Sequence, residues 1–417
     1  MTSVTDEILV SPEVLDCPYE FYRRVRDEAP VHQTPLGFWL VSRYDDVLAV
    51  VRDVARFSSD MSNAFVSGPP TEELRAIQAE GFAPVSTLLT NDPPSHTQFR
   101  ALVNKAFTPR RVAQLESEIR QIANDLVDRW IERGRVELVG EFAVGLPLTV
   151  IADALGVDRA DMGRFKTWSD DAVAPLSGML SQERQLECAR SRVEMQHYLA
   201  DRCRERAIEP RDDLLSDLVQ ARFDSGDRAG QGLEMNELLN VIEQLLVAGN
   251  ETTTKLIAAA MVLLIEHPDQ MARVAADHAL IPNLVEEALR LESPVQMLPR
   301  VAKHDVEIGG VAVPAGSVLM MMYGCANRDD AKYPSAEVFD IARPNARTNL
   351  AFGQGPHFCP GAALARSEGR IAFEVVLGRA HGWAIDTSVE QPMHRELSMT
   401  LRGLSALHLT FEPGAPS

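Results

Sequence analysis

The chain has 417 residues and a formal net charge of −19, and 45% of its residues are hydrophobic. Its length would permit two or three domains, but no stretch resembles a linker, and the hydrophobic fraction is ample for one large core. The acidic balance argues against general nucleic-acid binding, because neutralising phosphates requires clustered Lys and Arg.

The termini, apolar segments and cysteines indicate no special compartment. The first seven residues lack the basic and apolar regions of a signal peptide, and charged and amide side chains interrupt the longest apolar segment, 238–265. Five scattered cysteines without a C-x-x-C spacing indicate neither disulfides nor zinc. We therefore expect a cytoplasmic protein with no membrane span and one domain over 1–417, with an irregular N-terminus over 1–17 and no fused reductase domain.

The first quarter of the chain predicts a helix after Pro18, two short strands at 31–33 and 37–41, and a helix from Tyr44. The stretch 58–90 carries three prolines among small residues, which predicts a long irregular loop. A loop of that size in a compact domain is usually functional, so we expect it to cover a pocket.

A basic pair follows the double proline at 93–94. His96 and Arg100 are four residues apart in a predicted helix for which Ser95 is a suitable N-cap, so they share one face. On the pattern alone, this face is a solvated basic stripe. Successive amphipathic helices are predicted from 112 to about 220.

The segment 235–266 is apolar nearly all round, which predicts a helix buried through the middle of the domain. Gly249, Glu251 and Thr252 are exceptions to this pattern at one point of the helix. A back-bond from Thr252 to the preceding turn and a salt bridge from Glu251 would explain two of them without a function. Three exceptions together favour a functional site.

The remaining polar pair lies further along the chain. Glu287 and Arg290 are three residues apart in a predicted helix, a spacing that is also typical of a surface ion pair. Beyond it, Gly309-Gly310 between two short apolar runs predicts a hairpin, and the alternation over 397–411 predicts another.

The glycine-rich stretch 352–361 contains Cys359 and leads into a predicted helix from Ala362. Free backbone N–H groups and the positive end of the dipole at a helix N-terminus favour a thiolate, which is a metal ligand or a nucleophile. A buried structural cysteine is the alternative.

The pattern Phe-x-x-Gly-x-x-x-Cys-x-Gly over 352–361 resembles the haem-binding loop of the cytochrome P450 family, in which the cysteine is the axial ligand of the haem iron. The segments 92–100, 248–252 and 287–290 resemble three more motifs of that family in the same order. The resemblance runs from about Pro18 to Phe411. It implies the cytochrome P450 fold, mainly α with small β-sheets, in one large helical domain with haem between a long central helix and the cysteine loop.

The resemblance also implies roles for the matching residues. Glu251 and Thr252 would relay protons to the oxygen being activated, while Glu287, Arg290 and Arg343 would brace the cysteine loop. Asn349 stands where many bacterial members have a His that contacts a haem propionate, which leaves the anchoring of one propionate open. The residues implied to bind haem b, with Cys359 as the iron ligand, are His96, Arg100, Ala248, Gly249, Arg300, Phe352, Gly353, His357, Cys359 and Gly361.

The activity implied is monooxygenation, in which one atom of O₂ enters a small apolar substrate and the other leaves as water. Its electrons would come from NAD(P)H through a ferredoxin reductase and a ferredoxin, because no flavin or iron–sulfur domain follows Cys359. We further hypothesise a basic patch that docks an acidic ferredoxin, a solvated face being the alternative. Its residues are Lys105, Arg110, Arg111, Arg366 and Arg370.

Two other functions stay open at this stage: a peroxygenase that uses hydrogen peroxide, and a non-catalytic haem-thiolate sensor or carrier. Neither needs the acid–alcohol pair. The expected substrate pocket is mostly apolar with Gln296 as a polar anchor, which suits a terpenoid, steroid, fatty or aromatic molecule. Its expected lining residues are Leu245, Ala248, Val295, Gln296, Met297, Leu298 and Met399.

Overall fold

The computed structural model describes residues 9–60, 70–106, 109–177 and 180–414. This part of the chain is mainly helical. Its helices are α1 Pro12–Asp16, α2 Tyr19–Glu28, α3 Tyr44–Arg52, α4 Glu72–Ala79, α5 Ser95–Ala106, α6 Pro109–Asp128, α7 Gly145–Ala154, α8 Met162–Val173, α9 Gln182–Ile208, α10 Leu214–Gln220, α11 Met235–Glu266, α12 Pro268–Ala276, α13 Ile281–Leu291, α14 Tyr323–Ala326 and α15 Ala362–Arg379. No described helix is both long and apolar enough to cross a lipid bilayer.

The strands are short and form three small sheets. They are β1 Val31–Gln33, β2 Trp39–Val41, β3 Phe57–Ser58, β4 Arg135–Glu137, β5 Leu298–Ala302, β6 Val306–Ile308, β7 Val311–Val313, β8 Val318–Met321, β9 Ala380–Ile385, β10 Met393–Arg395 and β11 Leu404–Pro413. One sheet has the order β1-β2-β8-β5-β3, with β2 and β8 parallel. In the second, β11 pairs with β10, β4 and β9, and β6 with β7 forms a hairpin.

The long helix α11 connects two separate hydrophobic cores. Its first half, from Leu238 to Leu246, packs in a cluster with residues of α5, α7, α8, α9 and α10. Its second half, from Leu256 to Leu264, packs in a cluster with residues of α6, α13 and α15. Between these two buried halves lies the stretch that contains Gly249, Glu251 and Thr252. The fold therefore leaves the middle of its central helix outside both cores.

Several predicted elements are confirmed. The helix predicted over 235–266 has those bounds, because a capping box of Glu234 and Glu237 starts it and Pro268 begins the next helix. The strand at 31–33, the helix from Tyr44 and the Gly309-Gly310 hairpin are also present. The C-terminal hairpin is displaced from its predicted range of 397–411, because its first strand is β10 at 393–395 and its second is β11, so Met399 lies in the segment that connects them.

Two predictions of irregular structure were wrong. Pro12–Asp16 is helical because Ser11 caps the first turn by accepting a hydrogen bond from the Val14 N–H at 3.3 Å. The stretch 58–90 contains α4, whose N-cap Thr71 accepts from the Leu74 N–H at 3.2 Å. Pro12 occupies the first position of α1, where proline is compatible with a helix, and good helix formers follow the cap of α4. The part of that stretch over 61–69 lies outside the described residues.

Candidate active site

The cysteine loop is a tight backbone turn that ends where α15 begins. The Cys359 N–H donates to the Phe352 carbonyl oxygen at 2.9 Å, which closes the loop. Gly353 and Gly355 have φ angles of +65° and +71°, a region that side chains rarely adopt. The two glycines therefore allow the backbone of the loop to make its tight turn.

Gly355 also lies against the backbone of α3. A Cβ atom at this position would be 2.6 Å from the carbonyl oxygen of Val51 and 3.2 Å from the Cα of Arg52. No side chain fits at that distance, so a glycine is required for close contact between the cysteine loop and the end of α3.

The Cys359 thiol is subject to opposing effects. Burial raises its pKa, whereas the backbone N–H groups of Gly361 and Ala362 and the guanidinium groups of Arg100 and Arg366 act to lower it. Burial is the larger effect and keeps the pKa of the thiol above its ordinary value, although the backbone N–H groups at the start of α15 act in the expected direction and favour the thiolate. All four of these groups favour a negative charge on the sulfur atom.

A buried ion cluster braces the loop from behind. Arg290 donates two hydrogen bonds of 2.8 Å to the Glu287 carboxylate, and Arg343 donates a third at 2.9 Å. The remaining guanidinium donors bond backbone carbonyl oxygens, including that of Asn327 at 2.9 Å. The Asn327 side chain in turn accepts from the Leu350 N–H at 2.6 Å. Helix α13 is thereby tied to the segment that enters the cysteine loop.

Asn349 belongs to a neighbouring bracing group rather than to the cofactor site. Its Nδ2 donates to the Glu286 carboxylate at 3.2 Å and to the Ala346 carbonyl oxygen at 2.9 Å, and the residue is 4% exposed. Arg366 donates to the same carboxylate at 2.6 Å. The side chain of Asn349 is thus engaged with α13, and the anchoring of the second propionate, left open by the sequence, stays a prediction for other residues.

Cationic and imidazole groups gather on the other side of the loop without carboxylate partners of their own among the described residues. His96 on α5 is 2% exposed, and neither ring nitrogen has a hydrogen-bond partner. Its ring centroid is 4.1 Å from that of His357 in the cysteine loop. Arg300 on β5 is 6% exposed and donates at 2.7 Å to the carbonyl oxygen of its neighbour Pro299. Arg100 donates to Asn104 at 2.8 Å.

The group formed by His96, Arg100, Arg300 and His357 is called the unpartnered cluster here because none of its members has a carboxylate partner among the described residues; His357 Nε2 is 2.9 Å from the Ser59 hydroxyl oxygen. Burial, with the nearby Arg100 and Arg300, lowers the pKa of His96 to about 4. Burial, with His96 and Arg300, lowers the pKa of His357 to about 3. Buried donors that lack acceptors are rare in native proteins unless a ligand supplies them. The cluster fits a bound dianion such as the two carboxylates of haem.

The exposed side of α11 lies between its two cores. Ala248 is exposed and Gly249, Glu251 and Thr252 are partly exposed, although the helix is buried before and after them. A Cβ atom on Gly249 would meet only Ile151 Cγ1, at 3.9 Å, among the described atoms. Further along, Leu256 packs against Gly369 of α15. An open space therefore adjoins the middle of α11 on a helix that is anchored to the cysteine helix.

Both polar residues facing this space have intramolecular partners. The Thr252 hydroxyl donates to the Ala248 carbonyl oxygen at 2.9 Å, and the Glu251 carboxylate is 2.5 Å from the Lys255 ammonium. These are the two contacts that would explain the residues without a function. Both contacts are present in the same structure as the open space. They therefore show the resting conformations of the Thr252 and Glu251 side chains.

The sequence interpretation missed two buried charged residues next to this site. Lys255 lies one turn beyond Glu251 on α11, a spacing of four that could have revealed the pair. Glu368 on α15 hydrogen-bonds Thr253, and burial raises its pKa to about 8. No sequence signal distinguishes Glu368 from a surface residue of an amphipathic helix.

The expected substrate residues have different environments. Leu245, Val295 and Leu298 are at or near the surface of their clusters, and Val295 forms a bridge with Leu401. Met297 packs with Phe21, Tyr22 and other residues of the N-terminal helices. The Gln296 amide donates to Ser293 at 2.6 Å beneath Gly324, with its oxygen unpaired. A substrate contact by Met297 or Gln296 stays a prediction that this packing disfavours.

Comparison with known proteins agrees with the geometry. The family model described as cytochrome P450 matches residues 172–405. The chain is 38% identical over 421 residues to cytochrome P450 monooxygenase PikC of Streptomyces venezuelae, covering 97% of this chain and 96% of the relative.

Two solved structures resemble this one. Cytochrome P450 CYP109Q5 from Chondromyces apiculatus has a TM-score of 0.86 and 39% identity, over 99% of this chain and 100% of that one. CYP109E1 from Bacillus megaterium in complex with testosterone has a TM-score of 0.80 and 33% identity, over 94% of this chain and 99% of that one. The chain therefore belongs to the cytochrome P450 family of haem-dependent monooxygenases.

Proposed function

We propose that this protein inserts one atom of O₂ into a small apolar organic molecule, with electrons delivered by a ferredoxin. The observation that carries the proposal is the open space beside α11, which Glu251 and Thr252 border and which lies outside both hydrophobic cores. An acid and a hydroxyl beside such a space suit chemistry that consumes protons away from bulk water.

The residues around the space divide the work of holding the cofactor. Cys359 is the proposed iron ligand, and the unpartnered cluster is the proposed anchor for the haem carboxylates. Phe352, Gly353 and Gly361 shape the loop, while Ala248 and Gly249 leave room on the opposite side. Haem supplies the activation of O₂ when it is bound, with the thiolate favouring O–O cleavage.

The protein moves protons and keeps water out. Thr252 Oγ1 donates to the Ala248 carbonyl oxygen at rest, and a small rotation turns that proton toward the open space. The Glu251 carboxyl, partly exposed, exchanges protons with the outside and restores the Thr252 hydroxyl. Apolar side chains of the first half of α11, such as Leu245, limit the water that enters.

The electron donor proposed is a ferredoxin, reduced by NAD(P)H through its reductase. Ion pairing alters the basic patch that we expect to dock ferredoxin. Four of its five cationic side chains already have carboxylate partners. Lys105 pairs with Asp224 at 2.8 Å and Arg370 with Glu116 at 2.7 Å. Arg111 pairs with Asp217, and Arg366 with Glu286. Arg110 has no carboxylate partner among the described residues and is the cleaner position for charge reversal.

The substrate class follows from the apolar lining. Leu245, Val295 and Leu298 offer no charged group to a ligand, and the similar CYP109E1 is in complex with testosterone. Met399 packs against the same N-terminal cluster as Met297, which disfavours its expected substrate contact in the same way. A steroid or a terpenoid of similar size is therefore the proposed substrate, with fatty and aromatic molecules as alternatives. Members of these four classes can be titrated into the protein, and the shift of the haem absorption band on binding ranks the classes.

The decisive experiment joins a spectrum to product formation. The carbon monoxide complex of the reduced protein should absorb near the position typical of a thiolate ligand, and Cys359→Ser should abolish that band. With NADH, reductase and ferredoxin, product should form; Thr252→Ala should divert electrons from product to hydrogen peroxide. A thiolate spectrum without NADH-linked product would favour a sensor or carrier. Efficient turnover with peroxide and none with ferredoxin would favour a peroxygenase.

A further inference from the structure

Lys255 is a buried cation placed between two acids. Its side chain is 5% exposed, and its ammonium is 2.5 Å from a Glu251 carboxylate oxygen and 3.8 Å from Glu396. Glu251 is 17% exposed at the side chain, whereas Glu396 is 62% exposed on the segment between β10 and β11. One ammonium is therefore within reach of an acid at the open space and an acid in solvent.

The lysine stem is fixed by backbone packing. A Cβ atom added to Gly403, the residue before β11, would be 2.2 Å from Lys255 Cγ and 2.7 Å from its Cβ and Cδ atoms. The aliphatic stem thus lies directly against the Gly403 backbone. Only the end of the side chain has freedom to move, and the two carboxylates lie at that end.

We propose that Lys255 is a positioning residue that alternates between Glu251 and Glu396 and so controls when Glu251 can turn toward the open space. The inference rests on the proposed function of Glu251 in proton delivery. While the ammonium is on Glu251, that carboxylate is held along the helix. When the ammonium turns to Glu396, Glu251 is released, takes a proton from water and carries it to the Thr252 side of the space.

Glu251 and Glu396 do not contact the Lys255 ammonium equally. The Glu251 contact is shorter and more buried, so it dominates at rest. Removing Glu396 leaves Lys255 with Glu251 as its one acidic partner among the described residues and holds Glu251 longer. Removing Lys255 frees Glu251 and makes Glu396 irrelevant. The two substitutions should therefore not be additive.

The first experiment needs no catalysis. The chain has five lysines, Lys105, Lys166, Lys255, Lys303 and Lys332, so the ammonium nitrogens of ¹⁵N-lysine-labelled haem-loaded protein are few enough to resolve. The signal lost in Lys255→Met assigns Lys255. We expect Glu396→Gln to shift this signal and slow its proton exchange, and Gly403→Ala to displace it as well. Glu390→Gln, an exposed acid in the same region, is the control and should leave it unchanged.

The second experiment is a double-mutant cycle on ferredoxin-driven product formation. We expect Glu396→Gln to lower the rate at least threefold in the native background and to have no effect in the Lys255→Met background. Lys166→Met, which removes a partly exposed lysine paired with Asp170 at the same four-residue spacing, is the control and should not change the effect of Glu396→Gln.

The two experiments separate this inference from the proposed function. An unshifted Lys255 signal in Glu396→Gln, or equal effects of Glu396→Gln in both backgrounds, would overturn the role of Lys255. A shifted signal in a protein that makes no product with ferredoxin would support the alternating contact and overturn the monooxygenase proposal instead.

Discussion

Two buried groups of charged and polar side chains adjoin the cysteine loop, and they differ in how their hydrogen bonds are satisfied. In the brace, formed by Glu287, Arg290 and Arg343, the carboxylate accepts from both guanidinium groups, which also donate to backbone carbonyl oxygens. In the unpartnered cluster, His96 has no partner at either nitrogen and Arg300 donates to the carbonyl oxygen of the preceding residue. Complete pairing indicates a structural role, whereas missing acceptors indicate a site prepared for an anionic ligand.

Of the two groups, the brace should lose more unfolding free energy when a single residue is substituted. Glu287→Gln leaves two buried guanidinium groups without their anion, which costs about 3–5 kcal/mol of unfolding free energy. Urea denaturation measures this loss. Glu20→Gln, which breaks an exposed pair with Arg23 at the same three-residue spacing, is the matched control and should cost less than about 1 kcal/mol. Equal losses would show that the brace is not special.

The unpartnered cluster should respond in haem affinity instead of stability. Arg300→Leu removes a buried charge that has no carboxylate partner in the described protein, so the haem-free protein should keep or gain stability. Its affinity for haem should fall about 10- to 100-fold, the effect of losing one charge-assisted hydrogen bond of about 1.5–3 kcal/mol. Haem transfer to a competing acceptor protein measures the change. Arg204→Leu on the surface is the control; a destabilised haem-free Arg300→Leu would contradict the comparison.

The two imidazoles predict a pH dependence for the haem-free protein. The pKa values of His96 and His357 are lowered to about 4 and about 3, below the ordinary value near 6.5, so the unfolded chain binds more protons between these values. Stability should therefore be full above pH 6.5 and fall as the pH drops toward 4. Thermal unfolding at a series of pH values tests this.

Two variants test whether the pH dependence of stability arises from the unpartnered cluster. His96→Gln should flatten the curve, whereas His304→Gln, at an exposed position, should not. Bound haem should also flatten it, because two carboxylates favour protonated imidazoles. An unchanged slope in His96→Gln would place the acid sensitivity elsewhere.

The smallest expected effect tests whether Asn349 is a structural residue or belongs to the haem site. Asn349→Ala removes a donor to Glu286, so it should cost about 1–2 kcal/mol of stability and leave haem affinity as it is. Denaturation and haem transfer on the same variant give both values. A drop in haem affinity with unchanged stability would move Asn349 into the cofactor site.

The sequence determines the long elements better than the short ones. The bounds of α11 follow from a continuous apolar run between a capping box and a proline. In contrast, the three-residue strand β4 exists because it pairs with β11, whose residues lie about 270 positions further along the chain. A strand of that length has no periodicity of its own to detect.

The site residues illustrate the same limit. On its pattern, the pair of His96 and Arg100 predicted a solvated stripe, and only the family resemblance pointed to a cofactor. The structure buries His96 because the cysteine loop brings His357 against it from about 260 residues away. Likewise, Lys255 and Glu368 acquire their environments from β11 and α11, which no local spacing encodes.

The contact between Gly355 and Val51 has a consequence for how the protein is made. It joins the third helix to the cysteine loop across some 300 residues, so the loop can adopt its final form only after the two ends of the chain have met. Contacts of such high sequence separation form late and slow folding. Competence to capture the cofactor should thus be among the last properties that a newly synthesised chain acquires.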